Sequence, residues 1–224
     1  IRDSIRIDGA GKKVTRSDNC RVSDLSVSSD NLTFTYEAKS LPYPIDTSYY
    51  DNEKHTQADA LSVIPFMDEM NYEGLSVSGL SDGYYGLTIG GEFIGRFTAR
   101  ELERGINMAL LQNTPQYKQA MKIRQMNEER WLKERKMREF YWVEYNLMRK
   151  TGMLWACNEA AVDTLRKYRP HDIFLQWNGD LWLQYMHKGI REDCVNEQQD
   201  LVNQIYEQNK PIPLRIEIKK FTDL

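Results

Sequence analysis

The pattern of apolar and polar positions changes period once along this chain, near residue 98. Before that point apolar residues tend to alternate with polar ones. Ile5 and Ile7 lead into the turn residues Asp8-Gly9-Ala10-Gly11, and Val22, Leu25 and Val27 lead into Ser28-Ser29-Asp30-Asn31. Leu32, Phe34 and Tyr36 alternate with Thr33 and Thr35, the period-two mark of a half-buried strand. Leu75, Val77 and Leu80 run up to Ser81-Asp82-Gly83, and Tyr85, Leu87 and Ile89 run up to Gly90-Gly91. Two glycines between strand-like runs predict a tight hairpin, because both central residues of a type I′ turn need positive φ. Thr98 with Glu101 three residues on is a capping box and predicts a helix start. Thr114-Pro115 predicts a second start, with Pro at the first helical position.

From Pro115 to Lys150 no glycine and no further proline occurs, and apolar residues recur largely at three- and four-residue spacing. This predicts one long helix over about 115–150, roughly 50 Å in length, which must pack on something to persist. Gly152 is its expected stop. Phe140, Tyr141 and Trp142 are consecutive and point about 100° apart. The helix is therefore expected to be apolar on more than one face, leaving an aromatic patch that is open or covered by a neighbour. Further helices are predicted over Asn158–Tyr168, over Asp172 to about Met186 with an interruption at Asn178-Gly179, and over Glu192–Gln208. Leu214, Ile216 and Ile218 then alternate as a strand expected to return to the N-terminal sheet. Residues 41–60 read as a loop, since Leu41-Pro42-Tyr43-Pro44 cannot be helical. A short strand or turn is expected around Ile64-Pro65-Phe66. The predicted class is α+β: an antiparallel, sandwich-like β-rich half over about 1–98, then a helical half over 99–224, the two packed together.

Composition narrows the function. With 41% hydrophobic and 28% charged residues the chain is an ordinary folded protein. A net charge of −3 argues against a nucleic-acid partner, which needs a basic surface. No run approaches the ~18 apolar residues of a membrane span. The chain begins at Ile1 with no signal-peptide pattern, so a processed chain or a piece of one is expected. Cys20, Cys157 and Cys194 are odd in number and lack CxxC spacing. They read as reduced, buried thiols rather than metal ligands, with one disulfide plus a free thiol as the alternative.

No catalytic constellation emerges, and no residue is assigned to catalysis, to a cofactor or to a metal. Asp51-Asn52-Glu53-Lys54-His55 resembles an acid–histidine pair only loosely and sits in a polar loop. Ser4, Ser23 and Ser26 lie in strand or turn settings without a nucleophile elbow. Asp172 after His171 suits a helix start. The stretch Asn127–Arg138 alternates in charge, as a solvated helix face does. Trp142, Trp177, Trp182 and Tyr185 are the candidates for a ligand site or a domain interface. Their aromatic faces could stack on a sugar ring, although aromatic residues at helical spacing are more often core.

Several stretches together resemble the segment after the catalytic domain in bacterial SGNH (GDSL-type) hydrolases of the Bacteroidetes kind. They are Leu41-Pro42-Tyr43-Pro44, Ile64-Pro65-Phe66, Asn71, Leu75-Ser76-Val77-Ser78-Gly79-Leu80, Tyr85-Gly86-Leu87-Thr88-Ile89-Gly90-Gly91, Phe97-Thr98-Ala99-Arg100-Glu101-Leu102, Gly105-Ile106-Asn107-Met108-Ala109 and Thr114-Pro115-Gln116-Tyr117. The resemblance covers about residues 1–150; Gly90 departs from it, standing where that family usually has Asp. It implies a secreted or periplasmic ester hydrolase acting on lipids or acylated glycans, with this chain as its non-catalytic C-terminal portion. The expected partner is then an N-terminal catalytic domain or a second copy of the chain. The family's Gly-Asp-Ser and Asp-x-x-His blocks have no counterpart here. The other reading is a stand-alone carbohydrate- or protein-binding module.

Overall fold

The computed structural model describes residues 2–47 and 55–221. Two compact units divide the chain: Ile1–Arg124 with Gln208–Leu224, and Gln125–Glu207. The change of period at 98/99 falls inside the first unit.

The first unit contains the strands β1 (Arg2–Asp8), β2 (Lys13–Asp18), β3 (Cys20–Val27) and β4 (Asn31–Ala38), the helical turn α1 (Phe66–Glu69), and β5 (Tyr72–Ser78), β6 (Tyr84–Ile89) and β7 (Glu92–Thr98). The short helix α2 (Ala99–Arg104), β8 (Ile106–Asn107) and β9 (Leu214–Lys220) complete it. One sheet has the order β2-β1-β5-β8 and the other β3-β4-β9-β6-β7. The pairings are antiparallel except β1 with β5, which run parallel. The last strand returns as the centre of its sheet, with Ile216 paired to Phe34 on one side and Ile89 on the other.

Alternation sends Ile5, Ile7, Leu75 and Val77 of one sheet and Phe34, Leu87, Ile216 and Ile218 of the other into one shared core. The spacing of Val22 and Leu25 breaks period two because Asp24 has φ 53° and the pairing of β3 with β4 shifts register there. This bulge keeps both side chains on the core side. At the β6–β7 hairpin Gly90 and Gly91 have φ 59° and 85°, as the turn requires. Thr98 caps α2: its Oγ1 accepts from the Glu101 N–H at 3.2 Å, and the Glu101 carboxylate accepts from the Thr98 N–H at 2.7 Å. Around Ile64-Pro65-Phe66 the chain forms turns and α1 rather than a strand.

The helix α3 (Pro115–Val143) starts in the first unit and continues into the second, which also holds α4 (Glu159–Tyr168), α5 (Ile173–Tyr185) and α6 (Lys188–Gln208). Three expectations need correcting. The long α-helix ends at Val143, and a π-helical turn over Glu144–Met148 follows it; Gly152, with φ 75°, then ends the segment. The helix α5 is unbroken through Asn178-Gly179. Gly179 is a packing position instead: a Cβ there would meet the Arg169 side chain at 3.1–3.3 Å. The missing side chain lets the Arg169 guanidinium lie on the helix, where it donates to both Asp180 oxygens at 2.6 and 2.7 Å and to the Gln176 carbonyl at 3.1 Å. Finally, α6 begins at Lys188, four residues before the expected start. Phe140, Val143, Met148, Leu165 and Trp182 form the core of this unit.

Candidate functional site

The four aromatic candidates divide between the inside and the outside of the helical unit. Asp172 caps α5, accepting from the N–H groups of Phe174 at 2.8 Å and Leu175 at 3.2 Å. From that start, positions 175, 179, 182 and 186 point into the core, while 174 and 177 point out. Trp182 is fully buried and Tyr185 nearly so, and both belong to the core. Trp177 is 68% exposed. Trp142, on α3, is half-buried, with its ring 5.2 Å from Phe174, and Phe174 in turn meets Trp177 edge-on at 5.6 Å.

Phe174 and Trp177 form one wall of an open groove of about 600 Å³. Trp131, Arg135, Arg138, Glu139 and Trp142, spaced three and four apart on α3, form the other wall, and Asn178 completes the lining. The cations of the groove already have partners: Arg135 donates to Glu139 at 2.7 Å, and Arg138 lies 3.9 Å from Glu134 with its guanidinium over the Trp131 ring. The indole N–H groups of Trp131, Trp142 and Trp177 and the Asn178 carboxamide have no hydrogen-bond partner among the described residues.

The π-helical turn brings Glu144 inside the helical unit. Its carboxylate is buried and accepts from the Trp182 indole N–H and from the Trp155 backbone N–H, each at 2.8 Å. That second bond holds Trp155 at φ 62°, a left-handed conformation costly for a bulky residue. The exposed Trp155 ring meets Tyr141 and Tyr145 edge-on at 6.0 and 5.8 Å. The aromatic patch expected on α3 is thus present, divided between this cluster and the groove.

The first unit carries a different anomaly. Asp3, Glu73 and Gln116 are buried, and the Tyr36 hydroxyl stands 2.9 Å from Asp3 Oδ2 and 3.2 Å from Glu73 Oε1. The Gln116 amide donates to Glu73 Oε2 at 3.4 Å, while Asp3 Oδ1 and Gln116 Oε1 have no partner among the described residues. Burial pushes the Glu73 carboxyl up to about 7, raises Asp3 above the usual carboxylate range, and raises the Tyr36 phenol. Both acids were missed in the sequence, yet each continues an apolar alternation by one step: Asp3 before Ile5 and Ile7, Glu73 before Leu75 and Val77.

The remaining candidates stay apart. Ser4 lies in β1, and Ser23 and Ser26 lie in β3. Asp51, Asn52, Glu53 and Lys54 fall outside the described residues, so their pairing with His55 is not defined. The three thiols are free, but only Cys194 is buried: Cys20 is half-buried and Cys157 is exposed, with its sulfur 3.4 Å from His187 Nδ1. Among the described residues no cluster of three or more His, Cys, Asp or Glu side chains is placed to hold a metal ion, and no helix is long and apolar enough to cross a membrane.

Residues 121–210 match the family model of the diltiazem deacetylase C-terminal helical domain. The chain is also similar to a solved structure, BT4096, a gut microbial diltiazem-metabolizing enzyme. The two are 34% identical with a TM-score of 0.90 over 98% of this chain and 50% of that one. The chain thus spans half the length of this solved relative. No curated protein matches it. These findings correct the SGNH expectation: they name a diltiazem deacetylase domain and a diltiazem-metabolizing enzyme, and no SGNH catalytic domain is implied. The earlier resemblance rested on residues 41–117, largely turn and strand words such as Gly90-Gly91 and Thr98-x-x-Glu101. Hairpins and helix caps demand such words in many families.

Proposed function

We propose that this chain is a C-terminal, accessory portion of an ester hydrolase of the deacetylase type, and that the bond-breaking groups lie in a part of such an enzyme that it does not span. The observation that carries this reading is the match to BT4096, which takes in 98% of this chain and half of that enzyme at 34% identity. The match of residues 121–210 to a deacetylase's C-terminal helical domain supports it from a second direction. Removing an acetyl group from oxygen needs an activated nucleophile beside donors for the developing oxyanion. The serines weighed above lie on strands, and among the described residues no histidine is hydrogen-bonded to them. In this reading the β-rich unit is a rigid support, and the helical unit contributes surface for recognition.

The test is a chimera in which this chain replaces its counterpart in BT4096. The chimera is expected to turn over diltiazem. The chain alone is expected to leave p-nitrophenyl acetate unhydrolysed beyond a protein blank. Turnover by the isolated chain that one Ser or His substitution abolishes would overturn the reading. So would a folded chimera without activity.

A further inference from the structure

We propose that the open groove between Trp131 and Trp177 is a carbohydrate-binding site that takes a chain of pyranose rings. The inference goes beyond the hydrolase reading and does not depend on it. A pyranose presents apolar C–H faces and an edge of hydroxyls, so a complementary surface must offer ring faces and hydrogen-bonding groups side by side. The groove has both. Trp131, Phe174 and Trp177 are 46%, 49% and 68% exposed, so part of each ring faces solvent beyond its contacts with Arg138, Trp142 and one another. Among them stand three indole N–H groups and the Asn178 carboxamide without partners among the described residues, next to the planar Arg135–Glu139 pair.

Other occupants fit less well. A drug-sized aromatic ligand is normally buried over about 70–90% of its surface in an enclosed pocket, and this groove is open along its length. A single-stranded nucleic acid would stack on the same rings but needs free cations for its phosphates. Here Arg135 is engaged by Glu139, and Arg138 is drawn toward Glu134 and Trp131. An extended glycan can instead lay successive rings on spaced aromatic faces while its outer edge stays in water.

The test is affinity electrophoresis of the whole chain through gels containing xylan, galactomannan, pectin or mixed-linkage glucan, with tryptophan emission as the second readout. At least one polysaccharide is expected to retard the chain and shift its emission. Trp177→Ala should weaken that retardation about tenfold, the loss of one stacked ring. Tyr206→Ala, which removes a 76% exposed aromatic outside the groove, should leave it unchanged. The proposal is overturned by the absence of retardation in all four gels, by retardation that survives Trp177→Ala, or by equal losses in both variants. No bond is cleaved in this assay, so it can fail while the chimera succeeds, and the reverse.

Discussion

All five tryptophans lie in the helical unit, and Trp131, Trp155 and Trp177 are 46%, 46% and 68% exposed. The β-rich unit has no tryptophan, but it holds Asp3, Asn71, Glu73, Thr114 and Gln116, five of the six buried polar or charged residues among those described; Glu144 is the sixth. Most of the described buried polar groups thus sit in one unit, and the exposed indoles in the other. The two features carry different constraints. A buried carboxylate must find hydrogen bonds or a proton, and both bear on stability. An exposed indole costs the fold little and leaves its ring face open to solvent.

The sharpest way to break this contrast is inside one helix. Trp182→Ala removes a fully buried ring and deprives Glu144 of a donor, and is expected to destabilise the helical unit by about 3–5 kcal/mol. Urea unfolding followed by tryptophan emission measures it, since that emission arises only from the helical unit. A cost under about 1 kcal/mol would mean that Trp182 is not the core residue described above.

The next effect belongs to the β-rich unit. Burial raises Glu73 from an ordinary 4.5 to about 7, so the folded chain holds a proton that the unfolded chain releases. The stability this contributes is complete below pH 4.5 and is lost as pH rises through about 7. The loss should be on the order of 3 kcal/mol, and the raised Asp3 acts in the same direction. Far-UV circular dichroism melts across that window should show the decline in the parent chain and a flatter profile in Glu73→Gln. An equally steep decline in the variant would assign the dependence to other groups.

The smallest expected effect completes the contrast. Trp177→Ala, five residues from Trp182 on the same helix, should change stability by no more than about 0.5 kcal/mol, read from the same urea curves. A larger loss would make Trp177 a structural residue and weaken its case as a ligand contact.

Local chemistry made much of the fold legible. The Gly90-Gly91 turn, the Thr98–Glu101 cap, the Asn158 and Asp172 helix starts and the returning strand at 214–218 each depend on a few neighbouring residues, and such rules read directly from sequence. The uninterrupted α5 was not legible, because Gly179 answers to Arg169, ten residues away and on the far side of a turn. Which of Trp142, Trp177, Trp182 and Tyr185 would face outward needed the phase of α5 and the position of α3 beside it. The pairing of Asp3 with Glu73 crosses a parallel strand contact between residues seventy apart, which no periodicity encodes. Even so, the inward direction of each acid could be read from its own strand.

The π-helical turn at Glu144–Met148 bears on how relatives of this chain should be aligned. Such a turn holds one residue more than the α-helical turn it replaces. Removing a single residue there would restore the α-helix and rotate everything that follows by about 100°. Sequences with a one-residue gap at this point should therefore also lack an acid equivalent to Glu144 and an indole equivalent to Trp182. They should place a small residue or glycine where this chain holds Trp155 in a left-handed conformation. The gap, the acid, the indole and the strained residue would be gained or lost together, as one inherited insertion.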